Sequence, residues 1–210
     1  MARGWIAEAS ELLNRTTTEL GALDSYQNLL FSLVRFRELT RRYPRRITLI
    51  SYAFKRQRFE QLHRRAIRFP ADRFAFVGID PPAIAADKDD DDDGGGGGDG
   101  DQPRDQQQGP TSAREAVLAG ERANALTVWT ADPYACRPDS PLRAKRRARN
   151  AGRRYWAYRE SVSTAAAAAN MAEHRDGGDA AVVRLLTWCE AGGRNGEWFA
   201  QSLPWSEAEP

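Results

Sequence analysis

Two short apolar runs constrain the fold more than any other feature. Arg46–Tyr52 reads RITLISY and Phe74–Ile79 reads FAFVGI. Both are rich in β-branched or aromatic residues, and Tyr43-Pro44 and Asp80-Pro81-Pro82 bound them with turn chemistry, so both read as buried strands. Between them, Phe54, Phe59, Leu62, Ala66 and Phe69 recur at helical spacing, while Arg56, Arg64, Arg65 and Arg68 fall mostly on other faces. Pro70 ends that helix. A strand, a helix and a strand joined by short connections make a βαβ unit, which implies parallel strands with helices packed on the sheet. A helix over Asp24–Arg41 precedes the unit. Asp24 or Ser25 caps it, and Leu29, Leu30, Leu33, Val34 and Phe36 fill its apolar faces.

A parallel sheet normally needs more than two strands. A short third one is expected near Asn14–Thr18, and the sheet is expected to be incomplete at its opening. Further along, Ser112–Ala125 reads as helical, Val128–Tyr134 is ambiguous, and Ala180–Glu190 is an amphipathic helix ended by Gly192 and Gly193. The tail carries Trp198, Phe199, Leu203 and Trp205, which is enough apolar surface to expect docking on the body. The expected organisation is one α/β domain over 1–210, ordered over about 14–85, 112–160 and 178–206. A disordered Asp/Gly/Gln-rich insert over 86–111 and an Ala-rich low-complexity segment over 161–177 interrupt it.

Charge follows the same division. The whole chain has 31 Lys+Arg against 29 Asp+Glu, a formal net charge of +2. The acids concentrate in the insert, so the remainder is basic. Arginine far outnumbers lysine, as GC-rich coding produces, which discounts arguments from basic charge alone. No run is long and apolar enough to span a membrane, and Met1–Leu13 lacks a signal-peptide core. Cys136 and Cys189 show no CxxC spacing, so neither a disulfide framework nor a zinc site is expected. An intracellular, cytoplasmic setting with no membrane partner follows as the default. The cofactor and the oligomeric state stay open.

Ligands of open parallel sheets bind beyond the carboxyl ends of the strands. The loop Ser51–Arg58 is therefore the place to look. Lys55, Arg56 and Arg58 sit there at the start of a helix, where positive charge opposes the helix dipole unless an anion or acid compensates it; the alternatives are an anion site, or solvated arginines and a salt bridge to Asp24 or Glu60. Asp24, Ser25 and Asn28 gather at another helix start, either as a capping arrangement or as a polar wall of the same cleft. His63, mid-helix among arginines, reads as a surface or packing residue rather than a catalytic one. No Ser-His-Asp order or GxxxxGK[ST] occurs, and GxGxxG is met only inside the glycine tract, at Gly95–Gly100, where it carries no phosphate-loop signal. Arg143–Arg154 (RAKRRARNAGRR) is a basic strip. With no aromatic platform beside it, nucleic-acid binding is the lesser expectation.

Dispersed segments carry a resemblance. They are Thr16-Thr17-Thr18-Glu19, Asp24–Ser32, Arg35-Phe36, Arg42-Tyr43-Pro44, Ile47-Thr48 and Phe54-Lys55 with Arg58-Phe59. Further on come Leu62-His63-Arg64, Ala66, Arg68-Phe69-Pro70, Gly120-Glu121-Arg122, Asp132-Pro133-Tyr134, Cys136, Leu142, Lys145-Arg146, Arg149-Asn150 and Leu203-Pro204-Trp205. In this order the chain resembles the fungal branch of "domain of unknown function 218", the superfamily of the bacterial SanA and ElyC envelope proteins. The family's opening strand and Gly-Gly, Ser-Glu-rich segment find no counterpart here. Ala53 stands where fungal relatives tend to carry an acid, and Ala135 where they tend to carry glycine.

The resemblance implies a Rossmann-like, three-layer α/β fold. It places Glu19, Ser25, Asn28 and Arg58 at positions that the superfamily keeps near its site, with Lys55 where bacterial members tend to have histidine. No settled reaction comes with it. Three readings stand together. One is a domain that binds a small anionic, phosphate-like ligand through Lys55 and Arg58 with Asp24, Ser25 and Asn28 nearby. Another is a non-catalytic module whose arginine strip binds nucleic acid or an acidic protein. The third is a truncated, inactive relative.

Overall fold

The computed structural model describes residues 13–85, 113–149, 158, 177–190 and 196–206. The acidic insert and the alanine tract lie outside these residues, as do Asn150–Arg154 of the basic strip.

The first helix, α1 (Ser25–Thr40), forms where expected. Asp24 caps it by accepting the backbone N–H of Gln27, and Arg41 ends it in the left-handed region at φ 62°. Strand β1 (Ile47–Ser51) pairs in parallel with β2 (Phe74–Gly78), with Ile47 opposite Phe74 and Ser51 opposite Gly78. Gly78 is required at the end of β2. A Cβ there would lie 2.7 Å from the Cα of Ala53, so the turn after β1 crosses directly over it.

The connecting helix, α2 (residues 53–66), is less regular than its apolar spacing predicts. It opens as a 3-10 turn (Ala53–Lys55), widens to a π-helix over Arg58–His63 and closes with one α-helical turn (Arg64–Ala66). It stops three residues short of Phe69, because Arg68 turns left-handed at φ 53°. That turn buries Ile67 and Phe69 completely or nearly so. Residues 82–85 form a short helix, α3 (Pro82–Ala85).

The ambiguous stretch near Val128 resolves into helix. One continuous helical run, α4 (residues 113–131), passes from Ala113–Glu121 through a π segment, Arg122–Leu126, to Thr127–Ala131. Asp132 breaks it. Its buried carboxylate accepts the backbone N–H groups of Cys136 and Arg137. Then come α5 (Pro141–Arg149) and α6 (Gly177–Leu186). The latter ends at Leu186, before the glycines, where 3-10-type turns carry the chain to Cys189.

Two expectations are corrected. Asn14–Thr18 forms no strand. The backbone turns at Thr16, Thr17 accepts Arg35, and no described strand pairs with the segment. The two cysteines, 53 positions apart, form a disulfide. Sequence spacing could not show it, because the fold brings the end of α6 onto the turn after α4.

The tail docks as expected. Phe199, Leu203 and Trp205 are almost fully buried. The Trp205 indole donates to the Ile67 carbonyl at 2.7 Å, Arg73 donates to the Trp205 carbonyl, and the Phe199 N–H donates to the Tyr134 hydroxyl. Trp198 remains 37% exposed. The architecture is mixed helix and strand, with a single two-stranded parallel sheet among the described residues. None of their helices is long and apolar enough to cross a membrane.

Candidate functional site

The start of α1 faces α2 and α5, and α4 closes on α2. This brings a polar cluster into the interior. His63 is fully buried, and its Nε2 lies 2.8 Å from the Ser25 Oγ. Arg58 Nε lies 3.1 Å from Glu121 Oε1, with both side chains nearly buried. Arg146 reaches Asp24 Oδ2 at 2.5 Å and also donates to the Tyr134 carbonyl. The aromatic rings of Tyr26, Phe59 and Trp129 pack around His63.

Burial holds the His63 imidazole well below its ordinary pKa, and the neighbouring Arg58 and Arg146 charges push the same way. It is therefore neutral. The Arg58 guanidinium is also shifted down by burial, with Glu121 and Asp24 offsetting part of the effect. Lys55 is lowered by burial and then by Arg58, while its ammonium rests over the Tyr52 and Phe54 rings. The Glu121 carboxyl is raised by burial, against the pull of Arg58 and Lys55. Arg58 and Arg146 are thus matched by Glu121 and Asp24, and the half-buried Lys55 adds a third positive charge beside them. Such an excess favours a further anion.

Of the sequence-predicted residues, Asp24, Ser25 and Arg58 meet in this cluster, and Lys55 stands beside it. Glu19 does not. Its carboxylate accepts the N–H groups of Gly21 and Ala22 and the Tyr158 hydroxyl, which makes it a local turn-former. The Asn28 side chain points to solvent, and its backbone N–H serves the helix start. A hollow of about 220 Å³ lies just past the strand ends, lined in part by Ala53, Phe54, Asp80 and Arg114. None of the six candidates lines it.

Sequence reasoning placed neither Glu121, Arg146 nor His63 in the site. Glu121, Arg146 and His63 all fall within the segments that carry the resemblance, and that was the signal available. Helix α5 spends most of its cations on its own chain. Arg143 donates to the Cys136 carbonyl, Lys145 to Asn124, Arg146 to Asp24 and Arg149 to Leu23. The described part of the basic strip is thus largely an internal clamp. The Ser25–His63 pair has no carboxylate on Nδ1 among the described residues, so it lacks the third member of a triad.

Over 147 residues the chain is 31% identical to the uncharacterised protein YOR238W of Saccharomyces cerevisiae. The match takes in 70% of this chain and 41% of the yeast protein, so the chain spans about two fifths of that relative's length. No family model matches the chain, and no solved structure matches it.

Proposed function

We propose that the chain binds a small anionic, phosphate-like ligand against the start of α1, with Lys55 and Arg58 as the cationic wall. The half-buried Lys55 standing beside Arg58, with Glu121 as the described carboxylate between them, is the observation that carries this reading. The Glu121 carboxylate occupies the position beside Arg58. An incoming anion of similar shape would exchange with it at Arg58. Ser25 and the neutral His63 supply uncharged hydrogen-bonding groups at the same helix start.

Membership of the domain-of-unknown-function-218 superfamily belongs to the same proposal. The ordered series of matching segments supports it. A three-layer, Rossmann-like sheet belongs to it too. The parallel pair is joined by a helix, and its outer face keeps Ile50 66% and Val77 43% exposed. A parallel sheet ordinarily covers such a face with a second layer of helices.

Thermal-shift measurements with nucleotides and sugar phosphates test the ligand reading. Stabilisation that disappears in Arg58→Ala supports it. No stabilisation, or stabilisation that survives Arg58→Ala, overturns it.

A further inference from the structure

A cavity of about 430 Å³ lies on the other side of Arg146, between α1, the turn after α4, α5 and the end of α6. Its size is that of a small-molecule pocket. Arg143, Arg146 and Arg147 line one side, and Leu30, Phe31 and Leu185 supply an apolar surface. Glu190, an exposed acid, also lines it.

Three lining residues carry polar atoms without hydrogen-bond partners among the described residues. They are the Tyr26 hydroxyl, Arg146 Nη2 and the Trp188 indole nitrogen. All three can donate. Tyr26 is only 4% exposed, and burial lifts its pKa further, so the hydroxyl keeps its proton. A buried donor left unpaired costs about 1–3 kcal/mol, and native interiors hold few of them. Three on the lining of one cavity, beside Arg147 and the remaining N–H groups of Arg143 and Arg146, leave more donors than Glu190 and the chain's own carbonyls answer.

We propose that this cavity is a second ligand site, for a small organic anion that carries an apolar ring. Arg143, Arg146 and Arg147 take the phosphate or carboxylate, and the ring lies against Leu30, Phe31 and Leu185. Small rotations of Tyr26 and Trp188 bring their donors onto the ligand's acceptors. The disulfide secures the site, because Cys189 and Ala135, the neighbour of Cys136, are both lining residues. The site shares Arg146 and Tyr26 with the cluster around Arg58 and His63.

Calorimetric titration of the full chain in an Arg58→Ala background tests it, with phenyl phosphate, benzoate and inorganic phosphate as probes. Phenyl phosphate and benzoate separate the two anion classes, and inorganic phosphate reports what the ring adds. Saturable binding of at least one aromatic anion, tighter than inorganic phosphate, is expected. Arg147→Ala should weaken it at least about tenfold, the loss of one charge-assisted bond. Trp188→Phe, which keeps a ring and removes the donor, should weaken it by about three- to tenfold. Circular dichroism checks that each variant is folded. The proposal fails if neither aromatic anion binds, if inorganic phosphate binds as tightly, or if folded Arg147→Ala and Trp188→Phe chains bind like their parent.

Discussion

Replacing Glu121 with alanine strips Arg58 of its carboxylate without touching Arg58 itself. The two side chains are 12% and 7% exposed, and the pair spans 3.1 Å. The other acid near Arg58, Asp24, is already engaged by Arg146, so no described carboxylate takes over. Breaking one side of a buried pair in this way costs about 3–5 kcal/mol, because a desolvated charge is left behind. The Lys55 charge next door works in the same direction. Removing both partners, as Arg58→Met with Glu121→Leu, should recover most of that loss. The anion reading adds a second expectation. Inorganic phosphate can occupy the vacated place beside Arg58, and at ten times its dissociation constant it would return about 1.4 kcal/mol. In the parent chain phosphate must displace Glu121 and should stabilise less. Urea denaturation of the three chains with and without phosphate reads all of these quantities. A Glu121→Ala cost below about 1 kcal/mol, or a phosphate effect no larger than in the parent, would refute the reasoning.

Three further outcomes follow from the geometry. Reducing Cys136–Cys189, which closes a loop of 53 residues, should lower stability by about 4 kcal/mol from chain entropy, and an unchanged urea midpoint in dithiothreitol would contradict it. His63 is held neutral in the folded chain but protonates near pH 6.5 when unfolded, so its contribution is full above that pH and is lost as pH falls, at up to about 1.4 kcal/mol per pH unit; Ser25, Arg58, Arg146 and Tyr26 surround it, and His63→Gln should flatten the slope between pH 6.5 and 5. Ala135 sits at φ 60°, in the region that glycine tolerates best, so Ala135→Gly should stabilise by about 0.5–1 kcal/mol in the same assay.

The local signals carried the βαβ core because each element announced itself. Asp24 is a cap in sequence and in structure, and both strands form where their β-branched runs lie. Their expected burial is corrected: only Phe76 is buried, while Ile50 and Val77 stay exposed because the described residues put helix on one face alone. The finer irregularities were not legible. The π segment at Arg58–His63 rotates Arg58 and His63 relative to an ideal helix, and periodicity alone gives no sign of that. The site was half legible for a related reason. Asp24, Ser25 and Arg58 stand near chain features that suggest chemistry, whereas Glu121 and Arg146 acquire theirs only by packing onto residues about 60 and 120 positions away. Glu19 misled because a carboxylate that ties down its own turn looks, in sequence, like one available to a ligand. Ala135 shows the converse. Its position is one where glycine is expected, and the positive φ there gives the physical reason.

Inorganic phosphate titrated calorimetrically into an Arg147→Ala chain isolates the Arg58 cluster from the second cavity. Saturable binding that vanishes when Arg58→Ala is added is the expected result. Absence of binding, or binding of equal strength in both chains, would contradict an anion site built on Arg58 and Lys55 at the start of α1.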